Sequence, residues 1–184
     1  MISSREDRRD RYVAKARAEL ESLASRGVLM AGNAFSSVLL LKGEPTDAER
    51  AGERLLSGED GNALRSALQA LGYAPEDWAG LATWCEGGER LEAELLREAV
   101  CVLDPETLVA CDHGAADLLR ETYASELLDA GSGERPVLVD GELMTLAGMR
   151  ALSLGGFAAA LVSKQEKQLM WHRLKKIPPL GEPY

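Results

Sequence analysis

The stretch that decides the fold is Val38-Leu39-Leu40-Leu41-Lys42-Gly43-Glu44-Pro45. Its four consecutive apolar residues are too few for a helix, and Ser36-Ser37 and Lys42-Gly43 bound them. That pattern predicts a strand buried on both faces, as in a parallel sheet. Thr107-Leu108-Val109-Ala110-Cys111, behind the breaker Asp104-Pro105-Glu106, repeats the signal. Further strands are expected at 81–84 and 150–154, with a hairpin in 137–144 around Asp140-Gly141 and a turn at 131–136. Helical periodicity marks 5–25 (Tyr12, Val13, Ala16, Leu20, Leu23, Ala24), closed by Gly27, and 62–71 (Leu64, Ala67, Leu68, Leu71). It also marks 89–103, 115–123 with Asp112 at the N-cap position, and 165–177 (Met170, Trp171, Leu174, Ile177), which Pro178-Pro179 ends.

Strands alternating with helices predict an α/β fold. The expectation is a three-layer α/β/α sandwich on a small, mostly parallel four-stranded sheet, in one domain over 1–184. Residues 1–27 form an outer N-terminal helix, 36–177 the core and 178–184 an extended tail. Ligands in such folds bind beyond the carboxyl ends of the strands, which points to the loops at 42–61, 84–88, 111–114 and 153–157.

The chain has 184 residues and a net charge of −9. Residues 28–162 hold nine basic and 23 acidic side chains, whereas 1–27 and 163–177 are net +2 and +4. An acidic middle argues against a protein that wraps nucleic acid by bulk charge and leaves the two end helices as the available phosphate contacts. No window approaches the roughly 18 apolar residues of a membrane span, and the charged residues 1–11 do not read as a signal peptide. Three cysteines, Cys85, Cys101 and Cys111, cannot all pair, which favours a reducing, cytoplasmic setting.

The first buried strand leads directly into Gly43-Glu44-Pro45-Thr46-Asp47, and Gly58-Glu59-Asp60-Gly61 then opens a helix. A strand, a glycine-bearing loop and a helix start bring backbone N–H groups near a ligand. Together with Arg54-Leu55-Leu56-Ser57 before it, the segment 38–61 resembles the first motif of the uracil-DNA glycosylase superfamily, closest to its family 4 and family 5 enzymes. The resemblance continues through Leu96-Arg97-Glu98-Ala99 and Asp104-Pro105-Glu106-Thr107-Leu108-Val109-Ala110 to the helix with Ala115, Leu118 and Leu119, and covers roughly residues 36–177. It implies a cleft at Gly43, Glu44, Pro45, Leu56, Ser57, Gly58 and Gly61 that takes a nucleobase or nucleotide. Asp47 or Glu49 would stand near the position that orients water for base release.

The chemical residues of that family are mostly replaced. Leu56 stands where the family stacks the base on an aromatic ring, a contact worth roughly 1–3 kcal/mol per base. Ser153-Leu154-Gly155-Gly156-Phe157 stands where a His-Pro-Ser loop would donate to the base carbonyl. Three cysteines without a C-x-x-C cannot ligate a four-thiolate iron–sulfur cluster, so no cofactor and no metal site are expected. The expected protein is a divergent relative that has lost glycosylase activity and keeps a residual ligand cleft. The alternatives are an active glycosylase with altered residues, or a protein-interaction module on this scaffold.

Other chemistry-bearing residues read as structural. Cys111-Asp112-His113 at a strand end contains a nucleophile and a base, but reads as a buried Cys, an N-cap Asp and a first-turn His. His172 reads as a surface or half-buried structural residue, Trp78 and Trp84 as core, and Glu121, Glu126, Asp129 and Glu134 as a solvated acidic face.

Overall fold

The computed structural model describes residues 3–129 and 138–178. In chain order the elements are α1 (Ser3–Ser25), β1 (Val28–Gly32), β2 (Val38–Lys42), α2 (Asp47–Arg50), α3 (Glu59–Ala70), β3 (Ala79–Cys85) and α4 (Ala93–Leu103). They continue with β4 (Thr107–Ala110), α5 (His113–Thr122), α6 (Ala124–Asp129), β5 (Leu143–Leu146), β6 (Met149–Ser153), α7 (Phe157–Ala160) and α8 (Lys164–Leu174). The sheet has six strands in the order β1-β3-β2-β4-β6-β5. The four central strands run parallel, with Leu40 level with Gly80 on one side and Val109 on the other. The edge strands β1 and β5 are antiparallel to their neighbours, so the sheet is mixed and larger than the four strands expected.

Every residue of β2 is buried. Its period-2 alternation sends Leu39 and Leu41 into one apolar layer, with Leu23 of α1, Leu96 and Val100 of α4 and Leu118 of α5. Val38 and Leu40 face the other layer, with Leu64 and Leu68 of α3, Phe157 of α7 and Met170 and Leu174 of α8. Helices therefore cover both faces of the sheet, as a run of apolar residues without alternation requires. The end helices α1 and α8 pack against opposite faces of the sheet, α1 through Leu23 and α8 through Met170 and Leu174. No helix among the described residues is long and apolar enough to cross a membrane.

Four local expectations are corrected. The hairpin does not turn at Asp140-Gly141. Asp140 forms a parallel bridge to Ser153, and the β5–β6 reversal falls at Ala147-Gly148, with Ala147 at φ 50°. Residues 89–91 are not helical, because Cys85 N–H donates to Glu89 O at 2.7 Å and Leu91 N–H to Thr83 O at 2.8 Å, which turns the chain back along the end of β3 before α4 begins. The loop 43–61 contains the short helix α2, and α3 starts at Glu59 rather than 62. Strand β1 was not expected. The predicted turn at 131–136, Glu134 of the expected acidic face, and all of the expected 178–184 tail but Pro178 lie outside the described residues.

Candidate functional site

The loop after β2 is tied down by a buried charge cluster. Lys42 ends β2, is 2% exposed, and directs its ammonium to Asp60 Oδ2 at 2.5 Å and Glu49 Oε2 at 2.7 Å. Asp60 lies in the first turn of α3, where the helix N-terminus favours a carboxylate. Glu49 is the third residue of α2 and completes a capping box with Thr46. Its Oε2 accepts from Thr46 N–H at 2.8 Å, while Oε1 accepts from Leu56 N–H at 2.9 Å. Burial pulls the Lys42 pKa down, but hydrogen bonds to Asp60 and Glu49 outweigh it and hold the pKa above its ordinary value. Burial likewise pushes Glu49 up, and Lys42 with the N–H groups of Thr46 and Leu56 brings it below the usual carboxylate value. Glu49 is thus an ionised anchor that joins β2 to both ends of the loop.

A second clamp comes from the end of β4. Asp112 caps α5 by accepting from Ala115 N–H at 2.9 Å, and it also accepts from the N–H groups of Gly43 and Glu44 at 2.9 Å. This draws the loop so close to α5 that a Cβ on Gly43 would lie 2.2 Å from Ala115 N. A similar closeness holds at Gly61, where a Cβ would lie 1.9 Å from Leu56 O. Leu56 itself has φ 57° and is 1% exposed. Its side chain packs over Gly80 in the layer between α3 and the sheet.

Two clefts open on either side of this loop, at the carboxyl ends of the strands. One, of about 640 Å³, lies between the loop and the β3–α4 connection, against Pro45, Arg50, Thr83, Trp84, Arg90 and Gly114. The other, of about 540 Å³, lies towards β4 and α7, against Lys42, Glu44, Asp60, Asp112, Gly156 and Phe157. Gly43, Pro45 and Arg50 border both, and all four loops singled out from the sequence contribute. The helices following β2 and β4 leave to opposite faces, which is the arrangement that opens a crevice in such sheets.

Of the residues proposed from sequence, Gly43, Glu44, Pro45 and Glu49 come together at these clefts. Leu56, Ser57, Gly58 and Gly61 border neither. The Asp47 side chain points fully into solvent and pairs with Arg50 at 2.9 Å. His113 and His172 are exposed. Cys111 is buried, and burial together with Asp112 and Asp60 pushes its thiol well above the ordinary value, so it is no poised nucleophile. No cluster of His, Cys, Asp and Glu among the described residues is arranged to hold a metal ion. Sequence reasoning missed Lys42, Thr83 and Arg90; Trp84, read as core, does pack against one apolar layer and also borders the cleft. The one available signal was a lysine continuing the alternation of a fully apolar strand. In comparisons with known proteins, the chain matches no family model and no curated sequence.

Proposed function

We propose that this protein is a divergent, catalytically silent relative of the uracil-DNA glycosylases, whose cleft beside the 43–61 loop binds a nucleobase or nucleotide. One observation carries the loss of catalysis. The buried carboxylates of the site are already committed, Glu49 and Asp60 to Lys42 and Asp112 to three backbone N–H groups. A general base needs a carboxylate free to accept a proton from water near the substrate; the carboxylates that border the clefts without a partner among the described residues, Glu44, Glu53 and Glu86, are all exposed, and Asp47 stands in solvent on Arg50. The layered α/β architecture, the parallel run β3-β2-β4-β6 and the crevice at the strand ends are compatible with the resemblance in the sequence. Three free thiols fit a reducing, cytoplasmic compartment. The test of ligand binding is a thermal-shift panel of free bases, nucleosides and nucleotides. A rise in Tm with base-containing compounds is expected, because a ligand that binds only the folded chain stabilises it. No shift with any of them at millimolar concentration would refute this reading.

A further inference from the structure

A groove of about 390 Å³ lies between α3 and α8, in the helical layer rather than at the strand ends. Its floor is apolar, with Phe157 and Leu161 from α7 and its C-cap and Met170 and Leu174 from α8. The α3 wall carries only small side chains, Ala63, Ser66 and Ala67, and the α8 wall carries Lys167 and Trp171, whose indole is 37% exposed. At 3.6 residues per turn, Lys164, Lys167, Trp171 and Lys175 fall within an arc of about 80° on α8 and its C-cap. Glu166, the one acidic residue of α8, lies on the other side of the buried Met170. Lys164, Lys167 and Lys175 have no carboxylate partner among the described residues, and the Lys175 ammonium stands 6.0 Å from the centre of the Trp171 ring. Glu59, in the first turn of α3, is the one acid that borders the groove. Residues 28–162 carry 23 acidic against nine basic side chains, so this basic edge reverses the prevailing sign of the surface beside an apolar floor.

We propose that the α3–α8 groove docks an amphipathic, acidic helix of a partner protein, with the apolar face of that helix on the groove floor and its acidic flank along Lys164, Lys167 and Lys175. An apolar groove between helices takes the side chains that recur at i, i+3, i+4 and i+7 on such a helix. The Ala63-Ser66-Ala67 wall lets a backbone come close, and the exposed Trp171 offers a large, rigid contact surface. The three lysines select an acidic flank, since a basic one would meet like charge along the whole α8 edge. A flat anionic bilayer would meet the same lysines but leave the recessed floor uncovered. This site is separate from the strand-end clefts and does not depend on what they bind.

The test is fluorescence-anisotropy titration of the full chain into a fluorescein-labelled peptide of about 16 residues, long enough to form a helix, with leucine at i, i+3, i+4 and i+7 and glutamate on both flanks. A second peptide has lysine in place of each glutamate. The protein is wild type, Ala67→Glu in the α3 wall, or the double variant Lys164→Glu/Lys167→Glu, and each variant's thermal melt confirms folding. Should A67E not fold, Ser66→Glu at the neighbouring exposed position replaces it. Expected is saturable binding of the acidic peptide with a Kd below about 100 μM, at least about tenfold tighter than the lysine peptide and weaker as salt rises. Both A67E and K164E/K167E should weaken it about tenfold or more. Binding that A67E leaves unchanged would overturn the groove as its place, and binding that K164E/K167E leaves unchanged would overturn the role of the basic edge. Equal binding of both peptides, or of neither, would overturn the proposal. Vesicles of phosphatidylserine and phosphatidylcholine that bind the chain when the acidic peptide does not would overturn it in favour of a membrane surface. A dimer in sedimentation equilibrium that K164E/K167E dissolves, without peptide binding, would overturn it in favour of a second copy.

Discussion

Replacing Lys42 with methionine tests what holds the loop. Lys42 reaches two carboxylates at 2.5 and 2.7 Å, and the side chains of all three are at least nine-tenths buried. Methionine fills a similar volume, so packing is largely kept while the charge is removed. Glu49 retains the N–H groups of Thr46 and Leu56, but Asp60 has Lys42 as its only polar side-chain partner among the described residues. Removing one partner of a buried ion pair costs about 3–5 kcal/mol, because the other charge stays buried without compensation. Against a total stability of about 5–15 kcal/mol this is a large fraction. With a urea slope of about 2–3 kcal/mol/M, the unfolding midpoint should fall by roughly 1–2.5 M. The assay is urea unfolding followed by far-UV circular dichroism and tryptophan fluorescence. Adding Asp60→Asn to K42M should restore part of the loss. A K42M midpoint within about 0.3 M of wild type at neutral pH would refute the view that this cluster fastens the loop.

Other perturbations follow from the same contacts. Gly43→Ala forces a Cβ to 2.2 Å from the Ala115 nitrogen, so it should lose about 2–3 kcal/mol in urea unfolding. Asp112→Ala removes the cap of α5 and the acceptor for Gly43 and Glu44; it should cost about 2–3 kcal/mol, and Asp112→Asn less. Glu49 is held below the usual carboxylate value, as is Glu126, which Arg97 and Ser125 bring to about 2. Their contribution is therefore complete above the ordinary carboxylate pKa of roughly 4.3 and fades as pH falls through the folded values, so Tm should drop on the acid side of pH 4. Lys42 is held above its ordinary value, so its contribution persists at neutral pH and fades only as pH rises through that raised value.

The central strands were legible because their signal is local. Val38–Leu41 and Thr107–Ala110 are short unbroken apolar runs, and only a strand covered on both faces buries them entirely. Asp112 was legible as a cap for the same reason, standing just before the helical pattern read from 115, which starts at His113. Edge strands leave weaker traces. Val28–Gly32 is short and only partly buried, and its partner β3 lies some fifty residues away in sequence. Asp140-Gly141 misled because its turn chemistry is real but serves another contact, with the Asp140 carboxylate accepting from Ser153 at 2.5 Å. The true reversal uses Ala147 and Gly148, both at positive φ, so only its second residue carries a turn signal and Asp140-Gly141 presents the stronger one. The site was harder still. Lys42 reads as the polar end of a strand until Glu49 and Asp60, seven and eighteen residues away, fold over it. The residue at 56 was identified as a departure from an aromatic, but its left-handed backbone and burial follow from the close approach of Gly61, which spacing alone does not reveal.

The most direct test of the central claim is the release of free base from single- and double-stranded DNA containing uracil, compared with a blank without protein. Release indistinguishable from the blank is expected, because the buried carboxylates beside the cleft are committed and no histidine stands among the residues that border it. Release well above the blank, abolished by combining Asp47→Asn with Glu49→Gln, would contradict the claim and establish an active glycosylase.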